Sequence, residues 1–166
     1  MAPASRRVVP TFFRLPSRAR TPQHRGGLKL SVKSDYAARA VLSLARRHHA
    51  GKPTRIEDIA TENGLPANYL VQILIELKSR QIVRSVRGKE GGYHLARPPA
   101  QVTLADVIEC VHGALFEPPA LADGQCPPEL REAWSRLKVA VETEARRINF
   151  QTLLESAGER DRMFYI

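Results

Sequence analysis

The sequence predicts a mainly α-helical protein with a small β-hairpin, arranged as a winged helix-turn-helix followed by a long C-terminal dimerisation helix. Three observations predict this fold class. A short amphipathic helix, a Gly-Leu-Pro turn and a second helix follow one another from Ile56. Two strand-length runs around a glycine-rich tip come next. An apolar seam at coiled-coil spacing then begins near Pro128.

The first helix is predicted from Ser31 to His49. Ala37, Val41 and Leu44 recur on one of its faces at helical spacing, and this face should pack inward. Gly51 breaks the pattern and ends the helix.

The helix-turn-helix corner is marked by a glycine and a proline. Ile56 and Ile59 lie on one face of the short helix, which should end at Gly64 because a corner there needs a residue that tolerates positive φ. Pro66 then falls in the first turn of the second helix, where its missing N–H group costs nothing.

The second helix has an apolar face and a polar face. Leu70, Ile73, Leu74 and Leu77 recur every three or four residues and should be buried. The opposite side of its N-terminal half carries small, amide and short apolar side chains. Such side chains suit the DNA major groove, because amides can pair bidentately with adenine and apolar groups can contact the thymine methyl. This face consists of Ala67, Asn68, Val71 and Gln72.

A basic hairpin is predicted after the second helix. The runs IVRSVR and GGYHLAR have strand length and are joined by Gly88-Lys89-Glu90-Gly91. The hairpin carries four cations, which could contact phosphates. These are Arg84, Arg87, Lys89 and Arg97.

The net charge of +9 is unevenly distributed along the chain. Residues 1–26 hold six Arg and no acid, residues 27–99 hold thirteen Lys or Arg against six acids, and residues 100–166 hold seven against eleven. The excess positive charge therefore lies on the N-terminal stretch and on the predicted DNA-reading part. The C-terminal part is mildly acidic, as expected if it contacts protein.

Several of these stretches together resemble the Rrf-type winged-helix transcription regulators, the group that contains IscR, NsrR and CymR. The resemblance extends from about Leu28 to the end of the chain. It is strongest over Arg87-Gly88-x-x-Gly91-Gly92-Tyr93-x-Leu95-Ala96-Arg97. It implies a homodimeric, cytoplasmic DNA-binding repressor or activator, associated with the bacterial nucleoid, that reads a dyad-symmetric site. Its expected DNA contacts are Lys33, Ala67, Asn68, Tyr69, Val71, Gln72, Arg84, Arg87, Gly88 and Lys89.

Lys33 matches the family pattern among these positions, whereas Val71 departs from it. Lys33 occupies a position that is commonly Lys in this family, where a phosphate contact and an ordinary solvated lysine are both compatible with the sequence. Val71 stands where the family often has Glu, which can accept a hydrogen bond from cytosine. The preferred DNA sequence should therefore differ from that of relatives.

Domain boundaries follow from composition. Residues 1–27 are rich in Pro, Ser and Arg and are expected to be a disordered basic extension; a transit peptide and a stretch upstream of the natural start are alternatives. Its short apolar runs are too interrupted for a signal peptide or a membrane span. Residues 28–99 form the predicted winged helix-turn-helix, and residues 100–166 form the predicted sensor loop and dimerisation helices.

The C-terminal part begins with a capping box, Thr103 with Asp106, which opens a helix that Gly113 ends. A long helix is then predicted from Pro128 to about Ile148, followed by a short helix, FQTLLESA, capped by Asn149. Nothing after the long helix is large enough to cover its apolar seam, so the same helix of a second subunit is the expected partner. The seam consists of Leu130, Trp134, Leu137, Val141 and Ile148.

The chain has only two cysteines, Cys110 in the helix after the wing and Cys126 in the predicted sensor loop. Some members of the resembled family bind a two-iron two-sulfur cluster through three cysteines, which one subunit of this chain cannot supply. A cluster would need both cysteines and a nearby His or carboxylate, and we expect no cofactor and no metal site. Cys110 should be a small buried apolar residue. Cys126 is a candidate redox-responsive thiol, although an unreactive loop cysteine and a disulfide across the dimer are alternatives.

No catalytic constellation is present, and GKEGG lies between strands and lacks the pattern of a phosphate-binding loop, so no enzyme activity is expected. The remaining alternative of a different class is a winged-helix module that binds protein and not DNA. The excess of positive charge over residues 27–99 argues against that class, because protein interfaces are depleted of Lys.

Overall fold

The computed structural model describes residues 30–163. The predicted N-terminal extension, residues 1–27, lies outside the described residues, so the expectation for it stays a prediction. The described elements are α1 (Val32–Arg46), α2 (Ile56–Asn63), α3 (Ala67–Ser79), β1 (Val83–Val86), β2 (Gly92–Leu95), α4 (Leu104–His112), α5 (Pro128–Arg147) and α6 (Phe150–Met163).

Helix α1 runs through the middle of the core and packs on α2, α3, α4 and α6. Ala37, Ala40 and Val41 are fully buried, as their spacing predicts. The predicted end at His49 is wrong: α1 ends at Arg46, and the next residues form a tighter 3-10 turn. Gly51 then closes this turn in the left-handed conformation, with φ of 66°.

The helix-turn-helix corner has the predicted geometry. Gly64 ends α2 with φ of 63°, a conformation that costs a glycine nothing. The N–H group of Leu65 donates to the carbonyl of Ala60 at 2.9 Å and completes the cap. Pro66 lies one position earlier than predicted, at the residue that precedes the first turn of α3. Its extended conformation starts α3 at an angle to α2.

The two strands form an antiparallel hairpin in which Val83 pairs with Leu95 and Val86 pairs with Gly92. Thr54, in the segment before α2, adds a short bridge through two hydrogen bonds with Tyr93, at 2.8 and 2.9 Å. A Cβ atom on Gly92 would lie 2.5 Å from the backbone oxygen of Thr54, so this approach requires glycine. The wing is therefore fixed to the start of the helix-turn-helix.

The C-terminal helices begin as predicted, and the last of them ends later than predicted. The capping box of α4 is confirmed: Asp106 N–H donates to Thr103 Oγ1 at 3.1 Å, and Thr103 N–H donates to an Asp106 carboxylate oxygen at 3.0 Å. The last helix, predicted to be short, continues to Met163. Asn149 Oδ1 caps it at 2.9 Å, and one internal glycine, at a cost of about 1 kcal/mol, does not stop a helix begun in this way.

Helix α5 contacts the rest of the chain at both of its ends. Near its start, the rings of Phe116 and Trp134 lie 6.2 Å apart. At its end, Leu104 N–H donates to Ile148 O at 2.8 Å and Phe150 N–H donates to Val102 O at 3.0 Å. Among the described residues, no helix has both the length and the apolar character needed to cross a membrane.

Candidate nucleic-acid interface

The outward face of α3 is the centre of the candidate interface. Its apolar face is buried as predicted, since Leu70 is 1% exposed and Ile73, Leu74 and Leu77 are 0% exposed. This packing holds the opposite face toward solvent. The predicted base-reading residues therefore share one surface, on which Ala67, Asn68 and Gln72 are exposed and Val71 is half-buried.

Tyr69 lies at one edge of this surface and links it to α1. Its ring meets Tyr36 edge-on, with ring centroids 5.9 Å apart, and 39% of the residue remains exposed. Such an edge-to-face pair fixes the ring while leaving part of it free. Tyr69 can thus pack against α1 and still reach a phosphate.

Lys33 forms an ion pair that the sequence does not reveal. Its Nζ lies 2.6 Å from a carboxylate oxygen of Glu76, which is the only acid on α3. The pair neutralises a carboxylate that would otherwise repel phosphate. To contact DNA, Lys33 would have to donate to a phosphate while it is also paired with Glu76. Its direct phosphate contact therefore stays a prediction.

A basic cleft of about 570 Å³ lies between the end of α3 and the base of the wing. Lys78 from α3 and Arg84 from β1 line it, and Lys78 Nζ donates to Ser85 Oγ at 2.7 Å. Arg97, which also pairs with Asp106 at 3.4 Å, forms a third side. No acid is among the lining residues, so the cleft suits a phosphate. Sequence reasoning missed Lys78, because nothing local shows that α3 and β1 would face each other.

The tip of the wing is exposed and braced from behind. Arg87, Gly88 and Lys89 are all exposed. Arg55 Nη2 donates to the backbone oxygen of Lys89 at 3.2 Å and ties the tip to the start of α2. The brace holds the tip cations beside the helix-turn-helix, where a phosphate backbone would pass.

His94 lies on β2 of the wing, and its pKa is lowered. Burial lowers the pKa of His94, and the charges of Arg84 and His48 lower it further. His94 pairs with Arg84 across the hairpin. The imidazole is therefore neutral at pH 7, which avoids a second charge next to that arginine. No sequence spacing indicated that His48 would approach the wing.

The cysteines do not fit an iron-sulfur cluster. The Cys110 thiol donates to the backbone oxygen of Glu76 at 3.3 Å, and burial raises its pKa. It packs against the core but is only partly buried, so the expectation of a small buried apolar residue is met only in part. Cys126 is buried in the loop before α5. In the described ranges, no three His, Cys, Asp or Glu residues converge as a metal site.

The predicted dimerisation residues, on α5 and directly after it, divide into two sets. Leu130 and Leu137 are 47% and 44% exposed. Trp134, Val141 and Ile148 are half-buried against their own subunit. Only Ala145 is buried among the 20 residues of this helix. Helix α5 thus presents an uncovered apolar edge, centred on the two leucines.

A helix-turn-helix with an exposed amide face, followed by a braced basic hairpin, defines the class of winged-helix DNA-binding transcription regulators. Residues 30–156 match the family model "Rrf2: Iron-dependent Transcriptional regulator". The chain belongs to the Rrf2 family, which confirms the predicted resemblance, the winged helix-turn-helix and the expectation of a transcription regulator and not an enzyme. The role of the long C-terminal helix in dimerisation stays a prediction.

Individual relatives agree with this assignment. The HTH-type transcriptional regulator CymR of Bacillus subtilis is 33% identical over 141 residues, which cover 84% of this chain and 100% of CymR. The structure of that protein, described as the global cysteine regulator of B. subtilis, has a TM-score of 0.70 at 31% identity and covers 78% of this chain and 98% of its own. T. potens IscR has a TM-score of 0.67 at 30% identity, covering 81% and 91%.

Proposed function

We propose that this protein is a homodimeric repressor of transcription that acts in the cytoplasm, reads a dyad-symmetric DNA site and blocks a promoter by occupying it. The observation that carries this proposal is the outward face of α3, which exposes amide side chains beside a basic cleft and a basic wing. A helix of this kind enters the major groove while the wing follows the adjacent backbone.

Asn68 and Gln72 are the proposed base readers. They lie four residues apart on the exposed face, and each amide can pair with adenine in two hydrogen bonds. Ala67 and Val71 add small apolar contacts beside them. Because Val71 offers no acceptor for cytosine, the site should lack the cytosine preference that a glutamate would give.

The cations around α3 are the proposed phosphate contacts. Arg87 and Lys89 at the wing tip, together with the backbone N–H of Gly88, should contact one strand. Arg84 and Lys78 line the basic cleft and should contact the backbone nearer to α3. These contacts fix the position of the protein on DNA and do not read its sequence.

The uncovered edge of α5 is the proposed dimer contact. Leu130 and Leu137 expose apolar surface that a second α5 would remove from water. Two subunits related by a two-fold axis would then present two α3 helices to half-sites about 10 bp apart, or a multiple of that spacing.

We also infer that regulation does not use an iron-sulfur cluster, because the donor set described above does not supply enough ligands within a subunit. Anaerobic purification followed by visible absorption spectroscopy tests this inference. A colourless protein before and after incubation with iron and sulfide is expected. A stable visible absorption band that appears with iron and sulfide would contradict it and would point to ligands shared between subunits.

The test of the DNA-reading proposal is selection of bound duplexes from a random pool. The wild-type protein should return a motif with two inverted half-sites. The Gln72→Ala variant should return a changed motif, because each bidentate pair contributes about 1–3 kcal/mol of base discrimination. Gln125→Ala, in the loop before α5, is the matched control and should return the wild-type motif. A motif without symmetry, or one unchanged by Gln72→Ala, would contradict the proposal.

A further inference from the structure

Ile75 is a large apolar side chain on the outer surface of α3, and 52% of it is exposed. The buried face of α3 is complete without it, since Leu70, Ile73, Leu74 and Leu77 are at most 1% exposed. Ile75 therefore contributes nothing to the core that would explain a β-branched residue here. Its position on the candidate interface offers a different explanation.

The spacing of Ile75 continues the proposed base-reading face. Asn68, Val71, Gln72 and Ile75 stand at i, i+3, i+4 and i+7, the spacing at which a recognition helix presents four side chains to one groove. Seven residues of helix advance about 10 Å, which is within the width of the major groove, about 12 Å. A helix that places Asn68 over base edges can therefore hold Ile75 in the same groove.

Residues on the far side of Ile75 also face the proposed DNA. Lys78, one turn later on α3, lines the basic cleft that contains no acid. Glu76, the neighbouring carboxylate, is held by Lys33 at 2.6 Å on the other flank. Ile75 thus lies between a base-reading amide, Gln72, and a phosphate-binding ammonium group.

We propose that Ile75 is a specificity residue that contacts a thymine methyl group. This inference rests on the proposed entry of α3 into the major groove. The thymine methyl is the only apolar group that base pairs present there, and it suits an aliphatic side chain as an amide suits adenine. That contact would remove from water the part of Ile75 that is exposed in the free protein.

The experiment uses the duplex selected by the wild-type protein, with each thymine of one half-site replaced in turn by deoxyuridine, which removes only the methyl group. Wild-type affinity should fall about fourfold at one position, as expected for losing one methyl-sized apolar contact. Ile75→Ala should bind the unmodified duplex about as weakly and should be insensitive to deoxyuridine at that position. Ile75→Val should retain most of the sensitivity.

Val139→Ala, an exposed apolar truncation on α5, is the matched control and should behave as wild type. Equal deoxyuridine sensitivity of wild type and Ile75→Ala at every thymine would overturn the inference, as would a motif without thymine. The Gln72→Ala result separates this failure from failure of the proposed function. If Gln72→Ala changes the motif and Ile75→Ala does not, only the role of Ile75 is wrong.

Discussion

Helices α3 and α5 have similar apolar spacing, but the apolar residues are buried in α3 and partly exposed in α5. In α3 the four apolar residues at three- and four-residue intervals are at most 1% exposed. In α5, Leu130 and Leu137 recur seven residues apart and remain 47% and 44% exposed. Periodicity identifies a face that must leave water, but it does not say which molecule covers it. The core of the same chain covers the apolar face of α3, whereas the apolar edge of α5 is exposed, and we propose that a second chain covers it.

The exposed edge of α5 is also rotated from the predicted seam. Ala133 and Ala140 are exposed and alternate with Leu130 and Leu137 at heptad spacing. Trp134 turns instead toward Phe116 of its own subunit. Small alanines between leucines allow two helices to approach closely, so we expect the dimer seam to contain these alanines.

The largest expected effect comes from charging this edge. Leu137→Asp should prevent dimer formation, because a carboxylate in an apolar helix contact loses its hydration. Affinity for a symmetric DNA site should fall by on the order of a hundredfold or more, since only one half-site is held. Sedimentation equilibrium and binding to the selected duplex measure the two effects.

Val139→Asp supplies a matched control for that change. Val139 is 59% exposed and lies on the opposite side of α5, half a turn from the leucine edge. This variant should remain dimeric and bind DNA normally. If both variants become monomers, or neither does, the assignment of the seam to the leucine edge is wrong.

A second change tests the covered helix. Leu74→Ala removes a 0% exposed side chain from the core and should lower the free energy of unfolding by about 2–5 kcal/mol. Chemical denaturation followed by circular dichroism measures this loss. Leu130→Ala, at the exposed edge of α5, should instead lower the unfolding midpoint mainly at protein concentrations where the wild type is a dimer, and should weaken the dependence of that midpoint on concentration. An equal loss at all concentrations for both variants would remove the distinction between the helices.

A third change separates charge from packing in the DNA-binding part. Arg87→Ala should weaken binding to all duplexes about equally and reduce the slope of log affinity against log salt by about one. Arg136→Ala, an exposed arginine on α5, removes the same charge away from the wing and should leave that slope unchanged. Unchanged affinity of Arg87→Ala at low salt would remove the wing tip from the interface.

The smallest expected effect concerns pH and the joint between α1 and α2. Burial alone would raise the pKa of Glu62, but hydrogen bonds from Arg47 and Arg46, at 2.6 and 3.0 Å, hold it below its ordinary value of 4.5. The folded state therefore binds this proton less readily than the unfolded state. The stability from this group is present above pH 4.5 and is lost as pH falls through the lower folded-state pKa.

The size of that contribution should be about 1 kcal/mol or less, because the pairs lie near the surface. Denaturation of the wild type and of Glu62→Gln between pH 3 and pH 7 measures it. The two proteins should differ at neutral pH and converge in acid. A constant difference over the whole range would show that the carboxylate charge does not matter.

Local rules were enough to predict the helix-turn-helix and the start of α4. The positive φ of Gly64, the capping box of Thr103 and the burial of Leu74 each depend on residues within a few positions in the chain. Contacts between distant parts of the chain could not be predicted from the sequence. The pairing of Lys33 with Glu76 joins residues 43 positions apart, so no local pattern could indicate it.

The cleft beside Lys78 was also missed, for a related reason. It depends on the packing of β1 against the end of α3, which no local pattern shows. The N-terminal half of α3 could be assigned from residue types alone. Its C-terminal half needed the position of the wing.

The attachment of α5 at both ends has a mechanical consequence. Phe116 contacts its first turns, and backbone hydrogen bonds around Ile148 hold its last turn. The helix should therefore move as one rigid unit with the part of the chain that carries α3. In the proposed dimer, a small rotation where the two α5 helices cross would move both α3 helices together. The distance between the two α3 helices would then be set at the α5 contact, which does not touch DNA. The loop that contains Cys126 lies next to the start of α5, where α5 is attached.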